Sequence, residues 1–128
     1  MKIGFTQVSV INLEESINFY KDVLFLKEYV SFSPRQGINI VILCDEENNK
    51  IELIEDRNIS EDKRNTTSDA KVAIGFLVED IESVIEELRK KRIEIIRGPI
   101  SIKNGLRFLF VKDPNGVEIE IVQGFETL

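Results

Sequence analysis

The chain has 128 residues, 42% of them hydrophobic and 31% charged, which suits a single globular domain able to bury a real core. A formal net charge of −6 disfavours nucleic acid and anionic membrane surfaces as partners, no apolar run approaches the length of a membrane span, and Met1-Lys2-Ile3-Gly4 opens into a strand pattern rather than a signal peptide. Cys44 is the only cysteine, which excludes an internal disulfide and fits a reducing cytoplasm, and the absence of histidine removes the commonest metal ligand and acid–base residue.

Lys2 to Val10 alternates as a strand, with Phe5, Gln7 and Ser9 on one face and Thr6, Val8 and Val10 on the other. Asn12 is placed to cap a helix, with Glu14 and Glu15 in its first turn and Leu13, Ile17, Tyr20 and Leu24 at helical spacing. A strand is expected from about Leu26 to Phe32, ended by a loop containing Pro34. Ile38 to Cys44 and Lys50 to Ile54 read as a strand pair around a polar turn, Asp45 to Asn49.

Residues 57–70 are polar and charged and read as a linker between a first module, 1–56, and a second, 71–128. Lys71 to Val78 is the next strand. Asp80 caps a second helix, whose stripe is Ile81, Val84, Ile85 and Leu88, acidic early and basic late, as the helix dipole favours. Ile93 to Ile96 reads as a strand ended by Gly98-Pro99. Gly105 to Val111 and the strand after Val117 flank the turn Asp113-Pro114-Asn115-Gly116, where proline fixes one corner and Gly116 supplies a positive φ.

A gap-free shift of 68 residues lays the second half on the first. Asn12 falls on Asp80, Gly37 on Gly105, Asp45 on Asp113 and Ile51-Glu52 on Ile119-Glu120. The expected unit is strand-helix-strand-strand-strand, made twice. If each helix covers one sheet face through Ile51 and Leu53, or Val117, Ile119 and Ile121, the opposite faces turn toward a cleft that receives Glu52 and Glu120. Packing Ile38, Ile40, Ile42, Leu106, Phe108 and Phe110 under the helices then places Asn39, Val41, Leu43, Arg107, Leu109 and Val111 in the cleft.

Val10-Ile-Asn-Leu-Glu-Glu-Ser-Ile-Asn-Phe-Tyr20, Val78-Glu-Asp-Ile81 and Asp113-Pro-Asn-Gly-Val-Glu-Ile-Glu120 resemble motifs of the vicinal oxygen chelate superfamily, which includes glyoxalase I, extradiol dioxygenases, epimerases and bleomycin-resistance proteins. The resemblance covers the whole chain as one glyoxalase-like domain. It implies an α+β fold of two tandem βαβββ modules forming a U-shaped, partly open, eight-stranded barrel-like sheet around a cleft, often completed by a homodimer interface. It also implies metal-ligand positions on the first and fourth strands, here Phe5, Glu52, Ala73 and Glu120. Phe5 and Ala73 carry no donor, so no metal cofactor is expected.

The leading expectation is therefore a metal-independent, cytoplasmic, small-molecule-binding protein, sequestering an antibiotic or metabolite through Phe5, Gln7, Asn39, Glu52, Ala73, Arg107 and Glu120. The alternative is a divergent lyase or isomerase using Glu120 or Glu52 as acid–base groups or residual metal ligands, with Arg107 the one cation placed to stabilise an enolate. A third reading is an interaction module whose cleft is vestigial. Cys44, with no histidine to activate it, is read as inert.

Overall fold

The computed structural model describes residues 5–64, 73–101 and 105–124. The expected strand starts at Lys2 and Lys71 and the later part of the linker lie outside them. The chain forms two compact units, each a four-stranded mixed sheet with one helix. The fold is thus α+β, built of two tandem βαβββ modules.

In module one, β1 (Thr6–Ser9) leads to α1 (Leu13–Asp22), then β2 (Lys27–Arg35), β3 (Ile38–Cys44) and β4 (Lys50–Asp56), with sheet order β1-β4-β3-β2. β1 runs parallel to β4, and the other neighbours are antiparallel. In module two, β5 (Ala73–Val78), α2 (Ile81–Lys90), β6 (Arg97–Ser101), β7 (Arg107–Lys112) and β8 (Glu118–Gln123) repeat this as β5-β8-β7-β6. Both helices start where their caps place them. Asn12 Oδ1 accepts the N–H of Glu15 at 3.0 Å, and Asp80 Oδ1 accepts that of Glu82 at 3.1 Å.

Register decides which face each helix covers, because directly paired residues point to the same side. Val8, Leu53 and Val41 line up across β1, β4 and β3, and Ile51 pairs with Leu43. All five are buried, and Leu43 and Leu53 are fully so. In module two Leu109 pairs with Ile121 and Val111 with Ile119, again all buried. These rows form the cores on the helix side, where α1 packs on β3 and β4 and α2 on β8.

That corrects the expected parity of β3 and β7. Val41, Leu43, Leu109 and Val111 do not share a face with Glu52 and Glu120, and neither do Asn39 and Arg107; all six stand on the helix side. Ile40, Ile42, Phe108 and Phe110 take the other face. Both faces of these strands are apolar, so periodicity cannot choose between them, whereas pairing to the alternating strands β4 and β8 can.

Two strands differ from expectation. β2 continues through Pro34 to Arg35, and residues 93–96 do not form the expected strand: β6 starts only at Arg97 and runs through Gly98 and Pro99 to Ser101. Both are edge strands, where a missing N–H leaves no sheet neighbour unsatisfied, and each has a register irregularity near its proline. In the linker, Glu61–Lys63 forms one 3₁₀ turn. No helix among the described residues is long and apolar enough to cross a membrane.

Candidate functional site

The helix-free face of module one carries both of its first-strand candidates. Gln7 is in register with Glu52, and its Nε2 donates to Glu52 Oε1 at 2.8 Å. Phe5, two residues earlier on the same side, is 56% exposed. Ile42 stands directly across β3 from Glu52, and Val30 across β2 from Ile42. Phe32 pairs with Ile40 further along. Glu52 is thus a half-buried carboxylate amid apolar side chains, with one amide beside it. At the margin, Lys50 Nζ lies 4.7 Å from the centroid of the Tyr29 ring, a cation–π contact.

Module two presents the equivalent face with different chemistry. Glu120 lies between Gly75 on β5 and Phe110 on β7. Phe108 meets Phe110 edge-to-face at 6.1 Å. Arg97 stacks over the Phe110 ring at 4.2 Å and closes an ion pair with Glu118 at 2.7 Å. That hydrogen bond from Arg97, with added attraction from Arg97 and Lys112, holds the Glu118 carboxyl below its ordinary value despite some desolvation. Ala73, the second first-strand candidate, is exposed and pairs with Glu118.

The other two candidates serve the helices. Asn39 Nδ2 lies 3.4 Å from Glu55 Oε1 on the covered side of the sheet. Arg107 pairs with Glu82 in the first turn of α2 and donates from Nε to Ser101 Oγ at 3.1 Å. Arg107 therefore stands across the sheet from Glu120 and is not placed to assist it.

Sequence reasoning passed over the polar groups that set these helices. Glu55 Oε2 accepts the N–H of Leu13 at 2.8 Å, and Gln123 Oε1 accepts that of Ile81 at 2.8 Å. Both lie in the last two residues of their module's fourth strand, at the same position of the repeat. The 68-residue shift aligns them, and their parity on the apolar row was the available signal. Arg64 adds a second anchor in module one, donating to the carbonyls of Asp56 (3.0 Å), Ile59 (2.9 Å) and Ile11 (2.7 Å).

The donor set does not fit the metal that the resemblance implies. Phe5 and Ala73 offer no ligating atom, and Gln7 turns its amide nitrogen toward Glu52. Among the described residues no group of three or more His, Cys, Asp or Glu side chains converges as a metal centre requires.

Comparison with known proteins gives a consistent relationship. Residues 2–121 match the model of the Glyoxalase/Bleomycin resistance protein/Dioxygenase superfamily. A probable lactoylglutathione lyase of Synechocystis sp. is 31% identical, over 92% of this chain and 92% of its own length. A lactoylglutathione lyase of Haemophilus influenzae is 31% identical over 99% of this chain and 96% of its own. Among solved structures, a glyoxalase family protein from Bacillus cereus superposes with a TM-score of 0.80 at 17% identity, covering 96% of this chain and 93% of that one. The trypanothione-dependent glyoxalase I of Leishmania major superposes with a TM-score of 0.78 at 23% identity, covering 99% and 89%. At these identities the structural likenesses speak for the fold alone.

Proposed function

This chain belongs to the Glyoxalase/Bleomycin resistance protein/Dioxygenase superfamily, and from that premise we propose that it binds a small amphipathic organic molecule without a metal. The observation that carries this reading is the pairing of one half-buried carboxylate with an apolar surround on each helix-free face, while Phe5 and Ala73 remove half of the family's donor positions. An apolar surface with a few placed polar groups is the usual composition of a small-molecule site. A carboxylate there favours a cationic or hydrogen-bond-donating head, and an apolar body suits Phe32 and Ile42 on the face of module one, or Phe108 and Phe110 on that of module two.

The test is a thermal-unfolding panel on chelator-stripped protein. Ni, Co, Zn, Mn, Fe(II) and Mg are added singly, then bleomycin and other cationic amphipathic compounds. A ligand that binds only the native state raises the unfolding midpoint in a concentration-dependent way. The expected result is no specific shift with metals and a saturable shift with an organic cation, lost in Glu120→Gln or Glu52→Gln. A metal-dependent shift lost in those same variants would overturn the reading.

A second reading is favoured by the names of the two relatives, each matched over nearly its whole length. Under it the chain is a lyase, with Glu120 as a general base that removes a proton from carbon next to a carbonyl. Its check is turnover of lactoylglutathione by the purified protein, abolished by Glu120→Gln.

A further inference from the structure

The two helix-free carboxylates differ in what stands beside them. Gln7, in register with Glu52, donates to it at 2.8 Å. The register partner of Glu120 is Gly75, which the 68-residue shift aligns with Gln7. Among the described residues the Glu120 carboxylate has no side-chain hydrogen bond or ion pair.

Nothing in the backbone calls for glycine at position 75. Its φ lies outside the left-handed region, and a Cβ built there meets no described atom within 4 Å. A glycine inside a strand weakens it, and marks a bulge, a tight bend, or a place where a ligand or second backbone comes close. Pairing runs unbroken from Ala73–Glu118 to Val78–Gln123, which removes the bulge and the bend. Among the described residues no backbone approaches the built Cβ, so the space beside Gly75 is open to the close approach of a ligand.

We infer that Gly75 is the specificity-determining residue of this face, leaving the flank of Glu120 bare for a planar amidinium or guanidinium head, while Gln7 keeps Glu52 from the same role. A planar head fits because the floor at Gly75 is bare peptide, and such a cation pairs with a carboxylate through two parallel hydrogen bonds. The apolar body then rests on Leu77, which pairs with Val122 one step further along the same face. This accounts for Leu77, which is 50% exposed two residues from Gly75 on that face. The inference rests on the small-molecule reading above and adds the ligand's head group to it.

The experiment has two readouts on the full chain: carbodiimide-driven coupling of glycinamide to Glu52 and Glu120, followed by peptide mass spectrometry, and binding of benzamidine by calorimetry. Glu120 is expected to couple faster than Glu52 and to be protected by benzamidine. Gly75→Gln is expected to slow coupling at Glu120 to the rate at Glu52 and to weaken benzamidine about tenfold or more, a free-energy change of about 1.4 kcal/mol. Gly75→Ala gives a smaller change in the same direction, and Gln7→Gly raises coupling at Glu52. The thermal midpoints of the Gly75 variants stay at or above that of the parent, which separates the effect from misfolding. Equal coupling of the two glutamates in the parent, or unchanged benzamidine affinity in Gly75→Gln, would overturn the role of Gly75. Unequal coupling with no saturable binding of benzamidine, or of butylamine as a non-planar cation, would overturn the binding reading and the specificity role together. Butylamine binding as tightly as benzamidine would overturn the planar head.

Discussion

Glu55 and Gln123 perform the same task 68 residues apart: each accepts the first backbone N–H of its module's helix, at 2.8 Å. The tie fixes the start of α1 or α2 to the end of the fourth strand, and so sets which sheet face the helix covers. The two differ in charge. Glu55, only 2% exposed, also takes Arg57 Nε at 2.8 Å, and Arg64 Nη1 approaches to 4.0 Å. Burial works against its ionisation, but the Leu13 N–H, Arg57 and Asn39 outweigh it and hold the carboxyl below its ordinary value.

A lowered carboxyl contributes stability that is present above its unfolded-state pKa and lost as pH falls through the folded value. Urea unfolding followed from neutral to acid pH should therefore show a falling limb that Glu55→Gln flattens. At neutral pH that variant keeps an acceptor for Leu13 and should cost about 1 kcal/mol, while Glu55→Ala, which orphans the N–H, should cost about 1–3 kcal/mol. An acid limb unchanged in Glu55→Gln would assign it to other carboxylates.

Neighbouring residues of β3 offer a direct check on parity. Leu43 is fully buried on the helix side, and Ile42 is half-buried on the other. Leu43→Ala should cost about 2–5 kcal/mol in denaturant unfolding. Ile42→Ala should cost clearly less, and equal costs would contradict the assigned faces.

The repeat, both N-caps and the positions of Glu52 and Glu120 are legible in the sequence, because each leaves a local signal: Asn or Asp before an apolar stripe, or strict alternation in β4 and β8. What stays hidden depends on pairing. Leu43 and Ile42 are equally apolar, so only the register with Ile51 and Glu52 separates them. Arg107 follows Leu109 in parity and so moves with it to the helix side. Arg64 sits in a segment that reads as linker, and its three carbonyl partners come from backbone that no side-chain pattern reports.

Arg64 therefore deserves its own variant. Its guanidinium spans carbonyls that a lysine ammonium cannot reach together. Arg64→Lys should lose part, and Arg64→Ala about 1 kcal/mol, of module-one stability, because two part-buried carbonyls lose their donor. Amide exchange at Ile59 and Arg57 should quicken in both variants. Unchanged exchange there would make Arg64 a surface residue in solution.

The Arg97–Glu118 pair sets a pH-dependent signal on the helix-free face of module two. With Arg97 in place, the Glu118 carboxyl should titrate below the ordinary glutamate range in a carbon-detected NMR titration. In Arg97→Gln it should move upward toward that range, since the hydrogen bond and most of the nearby positive charge are gone. The pair is exposed, so the thermal midpoint should barely change. A Glu118 titration that ignores the substitution would place the two side chains apart.

The prolines of β2 and β6 have a consequence beyond strand boundaries. An outer strand with every donor free is a template on which another chain can add itself, and β2 displays Tyr29, Val30 and Phe32 along such a margin. Pro34 and the local irregularity interrupt that template near its end, and Pro99 does the same for β6. The outer strand of each module is thus a poor seed for strand-by-strand aggregation, and in module one it is so despite its exposed aromatic side chains.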